Sequence, residues 1–245
     1  MKIDGLLDLL RTRRSIRRFK PDPIPDEYLE KMIEAARWAP SGANAQPLEF
    51  IIIKDPKTKQ TMAELYRQVL KESYFIEQTR VEELRHHQLS FPRDDLPGFK
   101  DAPVLIVVCG DRRTYQASVL SGRFIGGEGG LDGTYQKNIG NATYSLILAA
   151  AALGLGAQWV TVGGVWEQLL KPLLDVPPIL LIHTVVPVGY PAYEPAPPYR
   201  RGAAEIVHWE RYDRSKFRTG DQIIEFLGLL RRHTKPAYDQ ERPPR

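Results

Sequence analysis

The segment RTRRSIRRFK, residues 11–20, concentrates the charge that could hold an anionic ligand. It carries six basic side chains and no acidic one. The whole chain has 34 Lys and Arg residues against 30 Asp and Glu, so acidic residues are in slight excess outside this segment. Proteins that bind duplex nucleic acid usually spread basic residues over a face to meet many phosphates. One compact cluster therefore favours a small phosphorylated ligand, with a nucleic-acid interface as the alternative.

The sequence contains few other constellations of catalytic residues. Among the five histidines, His86 and His87 are adjacent, and His183 lies in a predicted strand, where we expect a hydrogen-bonded core residue and not a metal ligand. The stretch GGEGGLDG departs from a dinucleotide-binding fingerprint because Asp132 stands in place of its third glycine. A nucleophile elbow and a phosphate-binding P-loop are absent. Side chains alone thus predict neither a metal centre nor nucleophilic catalysis.

Composition predicts a globular cytoplasmic protein. The chain has 245 residues, of which 42% are hydrophobic, enough for one large domain with its own core. No apolar run reaches the roughly 18 residues of a transmembrane helix, and the N-terminus lacks the order of a signal peptide. The single cysteine, Cys109, lies in an apolar run and cannot form an internal disulfide. We therefore expect no membrane association and a reducing compartment.

Helices and strands alternate over the first 190 residues, which predicts an α/β or α+β sandwich. Asp26 is the predicted N-cap of the second helix. A polar excursion at about residues 64–100 is predicted to form a lid, in which Tyr66, Tyr74, Phe75 and Phe91 either line an aromatic slot or belong to the core. Residues 1–195 are predicted to form the main domain, and residues 196–245 an extension that wraps a partner subunit. The predicted helices cover 4–13, 26–39, 56–74, 135–153, 165–174 and 221–232, and the predicted strands cover 48–54, 102–110, 154–163 and 179–191.

Four stretches in order resemble the FMN-dependent nitroreductase family. They are RRSIRRF (13–19), the loop APSGANAQP (39–47), an apolar helix ending in AAALGLG (150–156), and a late arginine-containing segment followed by EIVHW (205–209). Each stretch alone is a weak signal, but the four occur in the expected order along nearly the whole chain. The resemblance implies a three-layer α/β/α sandwich of the α+β class. Its central sheet would be mixed and mainly antiparallel, and its C-terminal extension would be exchanged across a homodimer.

The resemblance also implies an FMN site that uses the basic segment. Arg13 and Ser15 would address the phosphate or the ribityl chain, and Arg17 would lie near N1 and O2 of the flavin, with Arg14 close by. Arg200 and Arg201 would reach the same phosphate from the C-terminal extension. Guanidinium groups suit this task because they form paired, charge-assisted hydrogen bonds with phosphate oxygens.

A loop of the partner subunit would complete this site. The implied loop residues are Pro40, Ser41, Gly42, Asn44 and Gln46, with Gly42 standing where many family members have a second serine. A backbone N–H near Thr161, Val162 and Gly163 would face flavin N5, with a registration known to within one or two residues. Some relatives have a glutamate at this point, whereas this chain has Thr161.

The function implied by the resemblance is ping-pong hydride transfer from NAD(P)H through FMN to a small-molecule oxidant, such as a nitroaromatic or a quinone. Protein side chains would supply binding and electrostatics, which agrees with the lack of acid/base pairs. The excursion has no Glu-x-x-x-Tyr, which argues against the iodotyrosine deiodinase branch of the family. A flavin-binding protein without NAD(P)H turnover, such as an enzyme that fragments reduced FMN or a flavin carrier, is the alternative.

Overall fold

The computed structural model describes the backbone of residues 3–82, 98–116 and 131–241, and their side chains except at 98, 116, 131, 132 and 231–241. The chain divides into two compact units, Met1–Tyr193 and Glu194–Arg245. The described elements are α1 (Ile3–Thr12), α2 (Asp26–Arg37), β1 (Leu48–Ile53), α3 (Pro56–Gln78), β2 (Val104–Gly110), α4 (Arg113–Gln116), α5 (Leu131–Ala152), β3 (Gly156–Ala157), β4 (Val160–Thr161), α6 (Gly164–Leu173), β5 (Leu181–Gly189), α7 (Ala203–Ile206) and α8 (Gly220–Glu241).

The first unit is built on one sheet with the strand order β1-β2-β5-β3, in which β4 also pairs with β5. The named strands all pair antiparallel. The sheet is therefore antiparallel and not mixed, and the one parallel pairing of the described residues is an isolated bridge between Ser15 and Ala157, outside the named strands. The predicted strand at 154–163 thus forms as two short strands, which keep a single register against β5 from Gly156 to Thr161.

Alternating residues of β2 face two different hydrophobic cores. Val104, Ile106 and Val108 pack with α2 and α5, whereas Leu105, Val107 and Cys109 pack with α3 and α6. All seven residues of β2 are buried because helices cover both faces of the sheet. This arrangement confirms the predicted three-layer α/β/α sandwich of the α+β class. Exchange of the C-terminal extension across a homodimer stays a prediction.

Two local predictions are wrong. The N-cap of α2 is Pro25 and not Asp26, which is the first helical residue. The Asp26 carboxylate instead accepts a hydrogen bond from Lys54, because the end of β1 lies beside the start of α2. The helix predicted at 56–74 is longer than expected, since α3 continues to Gln78, so the first part of the predicted excursion is helical.

The chain returns to the sheet through a short 3-10 turn at Gly98–Asp101. Lys59 of α3 is buried beside this turn and donates hydrogen bonds to the carbonyl oxygens of Ala102 (2.7 Å) and Pro103 (3.2 Å). Burial lowers the pKa of Lys59, while Asp101 and Asp55 oppose that shift. The lysine therefore fixes α3 to the start of β2. The predicted lid residues 83–97, which include Phe91, lie outside the described residues.

The second unit consists of short elements that precede α8. Lys216 donates hydrogen bonds of 2.8 Å to the carbonyl oxygens of Ala204 and Val207, which ties the turn at Arg214–Lys216 to α7. The Arg218 guanidinium lies 4.4 Å from the ring centre of Phe226 on α8. A cavity of about 420 Å³ opens between these segments and is lined by residues that include Arg201, Tyr212 and Lys216. None of the described helices in either unit is long and apolar enough to cross a membrane.

Candidate cofactor-binding site

The basic segment lies along the edge of the sheet. After α1 ends at Thr12, the chain is extended, and the Ile16 N–H donates to the carbonyl oxygen of Ala157 at 3.0 Å. Farther along, the Lys20 N–H donates to Tyr190 at 2.8 Å, and the Arg18 carbonyl accepts from Ala192 at 3.1 Å. The sequence folds this way because its apolar residues, Ile16 and Phe19, enter the core that faces α3 and α6. The arginines between them are consequently fixed in position.

Two glycines make this close approach possible. A Cβ atom at Gly156 would lie 2.5 Å from the Ile16 side chain, and one at Gly189 would lie 2.9 Å from the Phe19 ring. Both distances are far below van der Waals contact. Glycine is therefore required at both positions for the basic segment to pack against the sheet.

Each predicted arginine of this segment is half-buried. Arg14 turns back on its own chain and donates from Nη1 to the carbonyl oxygens of Arg11 and Arg13, the latter at 2.9 Å. The Arg18 guanidinium lies 4.8 Å from the centre of the Tyr193 ring. The Nε atom of Arg13 is buried and has no hydrogen-bond partner among the described residues. Because buried donors are nearly always satisfied, this nitrogen is a candidate donor to an acceptor group of a ligand.

The predicted loop at 40–46 is strained. Three of its residues, Ala43 (φ 53°), Asn44 (φ 53°) and Gln46 (φ 45°), have left-handed backbones although none is glycine. Such conformations cost free energy and concentrate at functional sites. Ser41 Oγ accepts a hydrogen bond from the Gln46 N–H at 3.1 Å, and this contact holds the turn closed.

The loop is attached to the helices on one face of the sheet. Asn141 of α5 donates to the Pro40 carbonyl oxygen at 3.5 Å, and Gly42 lies near the buried Tyr115 hydroxyl of α4. Contacts of the basic segment run instead to β3 and to the end of β5. The two predicted parts of the site are therefore held by different elements of the same unit.

The third predicted part, Thr161–Gly163, lies at the same sheet edge as Ser15. Gln158 and Val162 donate their N–H groups to β5, at the carbonyl oxygens of Pro187 (3.2 Å) and His183 (3.1 Å). Amides alternate in direction along an antiparallel strand, so the N–H of Thr161 points away from β5. Gly163, two residues farther along, continues this alternation. The Val162 N–H is already used, which leaves Thr161 and Gly163 as the donors available to a ligand within this range.

Sequence reasoning missed a polar network behind this edge. On the β2 side the register of β5 shifts by one, because Val108 pairs with Thr184 whereas Cys109 pairs with Ile182. His183 is therefore the extra residue of a β-bulge. Its Nε2 atom lies 2.7 Å from the Tyr135 hydroxyl of α5, so it is a hydrogen-bonded residue at the edge of the core, as predicted.

Burial determines the protonation states of His183 and Tyr135. Desolvation lowers the pKa of His183, opposed by Glu167 and reinforced by Arg112. Desolvation also raises the pKa of Tyr135, and the Arg112 guanidinium, 5.6 Å from the centre of the Tyr135 ring, opposes that shift. Both side chains are accordingly neutral near pH 7. The nearby Cys109 is buried and unpaired, and desolvation raises its pKa to about 11, which makes it an inert thiol.

The late arginines lie in the second unit. Arg200 is exposed and donates to the carbonyl oxygen of Tyr199 at 2.9 Å. Arg201 donates to the Glu205 carbonyl oxygen at 3.0 Å, and its Nε lies 3.6 Å from the Glu205 carboxylate. Their predicted role at a phosphate stays a prediction.

The described aromatic residues of the predicted slot lie in two separate places. Tyr66 packs in the core against Trp166, with ring centres 4.6 Å apart, and against Phe99 at 5.6 Å. Tyr74 and Phe75 lie two turns farther along α3, with ring centres 5.8 Å apart, and Phe75 is exposed. Tyr66 thus belongs to the core, as the alternative reading expected.

Comparison with known proteins shows the family to which the chain belongs. An NADH dehydrogenase of Thermus thermophilus is 30% identical over 199 residues, which cover 80% of this chain and 92% of that protein. A 5,6-dimethylbenzimidazole synthase of Rhodospirillum rubrum is 29% identical over 199 residues, covering 81% and 88%. A crystal structure of iodotyrosine deiodinase bound to FMN and 3-iodo-L-tyrosine is 28% identical, with a TM-score of 0.64, and covers 84% of this chain and 100% of that one. The profile of the Nitroreductase family matches residues 10–190, and the chain therefore belongs to this family of flavoprotein oxidoreductases.

Proposed function

We propose that this protein is an FMN-dependent oxidoreductase that takes hydride from NAD(P)H and passes it to a small planar acceptor, such as a nitroaromatic or a quinone, by a ping-pong mechanism. The observation that carries the proposal is the unsatisfied Nε of Arg13, in a half-buried arginine cluster fixed to the sheet edge. Bound FMN would supply the hydride chemistry, which none of the side chains of the site can perform.

Arg13, Arg14 and Ser15 would bind the phosphate and ribityl chain of the cofactor. A phosphate monoester carries close to two negative charges near pH 7, and charge-assisted hydrogen bonds from arginine meet that charge. Arg17 would bring positive charge to the pyrimidine edge and favour the reduced, anionic cofactor. Arg200 and Arg201 of the second unit would add to the phosphate contacts.

The outward-facing amides of Thr161 and Gly163 would contact the cofactor on the same sheet edge. A fixed backbone donor costs no reorganisation when charge develops next to it. The alternation of hydrogen bonds along this edge supports Thr161 and Gly163, and not Val162, as the backbone donors to the cofactor.

The strained loop would close the site of a partner subunit, which makes the homodimer the active form. Support comes from its attachment: the loop of Pro40, Ser41, Gly42, Asn44 and Gln46 is held to α5 through the Pro40 carbonyl oxygen, whereas the basic segment follows β3. The left-handed residues would then be compensated by contacts that form on assembly. We further propose that the protein acts in the cytoplasm.

A second candidate function is fragmentation of reduced FMN with oxygen. The relative named 5,6-dimethylbenzimidazole synthase favours it, since it covers 81% of this chain at 29% identity. Under this alternative the protein would bind FMN in the same site but would not turn over NAD(P)H.

An absorbance spectrum of the purified protein tests both functions. Flavin bands that bleach on anaerobic addition of NADH or NADPH, and return with a quinone, support the oxidoreductase. Reduction by dithionite but not by NAD(P)H, followed by stoichiometric loss of FMN in oxygen, supports fragmentation. A protein that stays colourless after incubation with FMN contradicts both.

A further inference from the structure

The β-bulge at His183 lies directly behind the outward-facing amides. On one side of β5 the bulge shifts the pairing with β2 by one residue, and on the other side β4 keeps its register. The His183 carbonyl oxygen accepts the Val162 N–H at 3.1 Å. The direction of the peptides that follow, at Gly163 and the start of α6, therefore depends on how the bulged residue is held.

Two helices hold the bulge through side chains. From α5, the Tyr135 hydroxyl reaches the His183 imidazole at 2.7 Å. The hydroxyl sits under Gly110 of β2, where even a Cβ atom would lie 2.0 Å from it. Tyr135 is 1% exposed, so its ring cannot follow a displaced imidazole. Its position is thus fixed independently of β4.

From α6, Glu167 binds the neighbouring amide. Its Oε1 atom accepts a hydrogen bond from the Ile182 N–H at 3.1 Å and lies 3.0 Å from Lys171 Nζ, one turn along the same helix. Because α6 begins one residue after Gly163, this contact ties the start of the helix back to the bulge. Thr184 adds a clamp, since its Oγ1 donates to the Val160 carbonyl oxygen at 2.8 Å.

We infer that Tyr135, His183 and Glu167 are positioning residues that set the orientation of the turn from Thr161 to Gly164. Through that turn they tune the contact between the outward-facing amides and the cofactor. This inference rests on the proposed function. None of the three side chains needs to touch the cofactor, and their effect is transmitted through the Val162 and Ile182 amides.

If Tyr135 holds the turn through His183, removal of its hydroxyl should loosen the turn even in the absence of cofactor. In the flavin-free protein, Tyr135→Phe should speed hydrogen exchange at the Val162 amide at least tenfold, because the imidazole loses its fixed partner. Thr143→Val is the matched control, since it also removes a buried hydroxyl of α5 whose hydrogen bond goes to the Ile139 carbonyl oxygen of the same helix. The control should leave exchange at Val162 within twofold.

The loaded protein provides the second readout. His183→Leu and Tyr135→Phe should slow anaerobic flavin reduction by NAD(P)H at least fivefold at saturating donor, and should make the flavin midpoint potential more negative. His183→Gln, which keeps a polar atom within reach of Tyr135, should stay within twofold of the unmodified protein. If His183→Leu does not fold, Tyr135→Phe, which removes a single oxygen atom, decides the question.

Failure of the positioning role and failure of the proposed function give different results. The positioning role would be overturned, and the proposed function left intact, by a Tyr135→Phe variant that binds flavin, shows unchanged exchange at Val162 in its flavin-free form, and keeps the reduction rate and potential when loaded. Equal losses in His183→Leu and His183→Gln would also overturn it. An unmodified protein that binds no flavin would contradict the proposed function itself, whatever the exchange measurements give.

Discussion

Ser41 Oγ accepts a hydrogen bond from the backbone N–H of Gln46 at 3.1 Å, and this contact closes a loop that contains three left-handed residues other than glycine. The side chain of Ser41 thus acts on the backbone of its own loop. Loop strain of this kind persists only where the surroundings enforce it, so substitution of Ser41 is the most direct way to relax the loop.

Ser41→Ala should lower the free energy of unfolding by about 1 kcal/mol, the net value of one hydrogen bond, and should weaken FMN binding severalfold. Ser73→Ala on α3 is the matched control, because its hydroxyl bonds the Val69 carbonyl oxygen within an exposed helix face. Chemical denaturation and fluorescence titration with FMN measure both effects. Equal behaviour of the two variants would show that Ser41 does not shape the loop.

Arg13→Ala should weaken FMN affinity at least tenfold, since a charge-assisted hydrogen bond contributes about 1.5 to 3 kcal/mol. Arg37→Ala removes the same charge from the exposed surface of α2, where the arginine pairs with Glu34, and should leave affinity unchanged. Equilibrium dialysis at fixed ionic strength compares the variants. Unchanged affinity in Arg13→Ala would remove this residue from the site.

Truncation after residue 195 should release monomers or abolish flavin binding, because it deletes Arg200, Arg201 and the whole of α8. The full-length double variant Arg200→Ala/Arg201→Ala separates the two causes, since it should lose affinity but keep the assembly state. Light scattering coupled to size exclusion gives the mass, and the absorbance ratio gives the flavin content. A truncated chain that remains a flavin-loaded dimer would show the extension to be dispensable.

The pKa of His183 predicts a dependence of stability on pH. Burial holds this pKa below the ordinary value of 6.5, so the unfolded chain binds the proton more tightly than the folded one. The contribution of neutral His183 to the free energy of unfolding is therefore fully present above pH 6.5. It declines as the pH falls below 6.5, with a slope of at most about 1.4 kcal/mol per pH unit. Urea denaturation at pH 5 to 8 should show that His183→Gln flattens this decline. A parallel decline in both proteins would refute the assignment.

Gly156→Ala should destabilise the fold by more than about 1 kcal/mol, because its Cβ would overlap three atoms of Ile16 at 2.5 to 2.9 Å. It should also detach the basic segment and so reduce flavin content. Gly140→Ala in α5 is the control, since a Cβ there meets nothing within 4 Å and alanine favours a helix. Thermal unfolding in the presence and absence of FMN measures both effects, and similar melting temperatures in the two variants would refute the close contact.

The order of helices and strands predicted a sandwich, because burial dictates the apolar pattern of each element directly, and the family resemblance implied its three layers. The continuous apolar run of β2 and the apolar stripe of α2 each appear within a few consecutive residues, so their elements were found to within a few positions. The continuation of α3 to Gln78 was missed, since its last turns carry polar residues on an amphipathic surface.

The missed parts of the site depend on contacts between distant residues. Tyr135 and His183 are 48 positions apart, and only the packing of α5 on the sheet brings them together. The bulge leaves no pattern in the sequence, because a single extra residue does not disturb an apolar run. The left-handed loop is similarly hidden, since it uses alanine, asparagine and glutamine where glycine would have been a signal.

The single register that joins β3 and β4 to β5 also bears on how the chain folds. All these pairs lie within residues 156–189, so the strands and α6 can assemble after closing only short loops. The pairings of β1 with β2 and of β2 with β5 require much longer loops, which slow their formation. We expect residues 156–189 to be a folding nucleus. The strand edge that carries the Thr161 and Gly163 amides would then be in place before the basic segment packs against it.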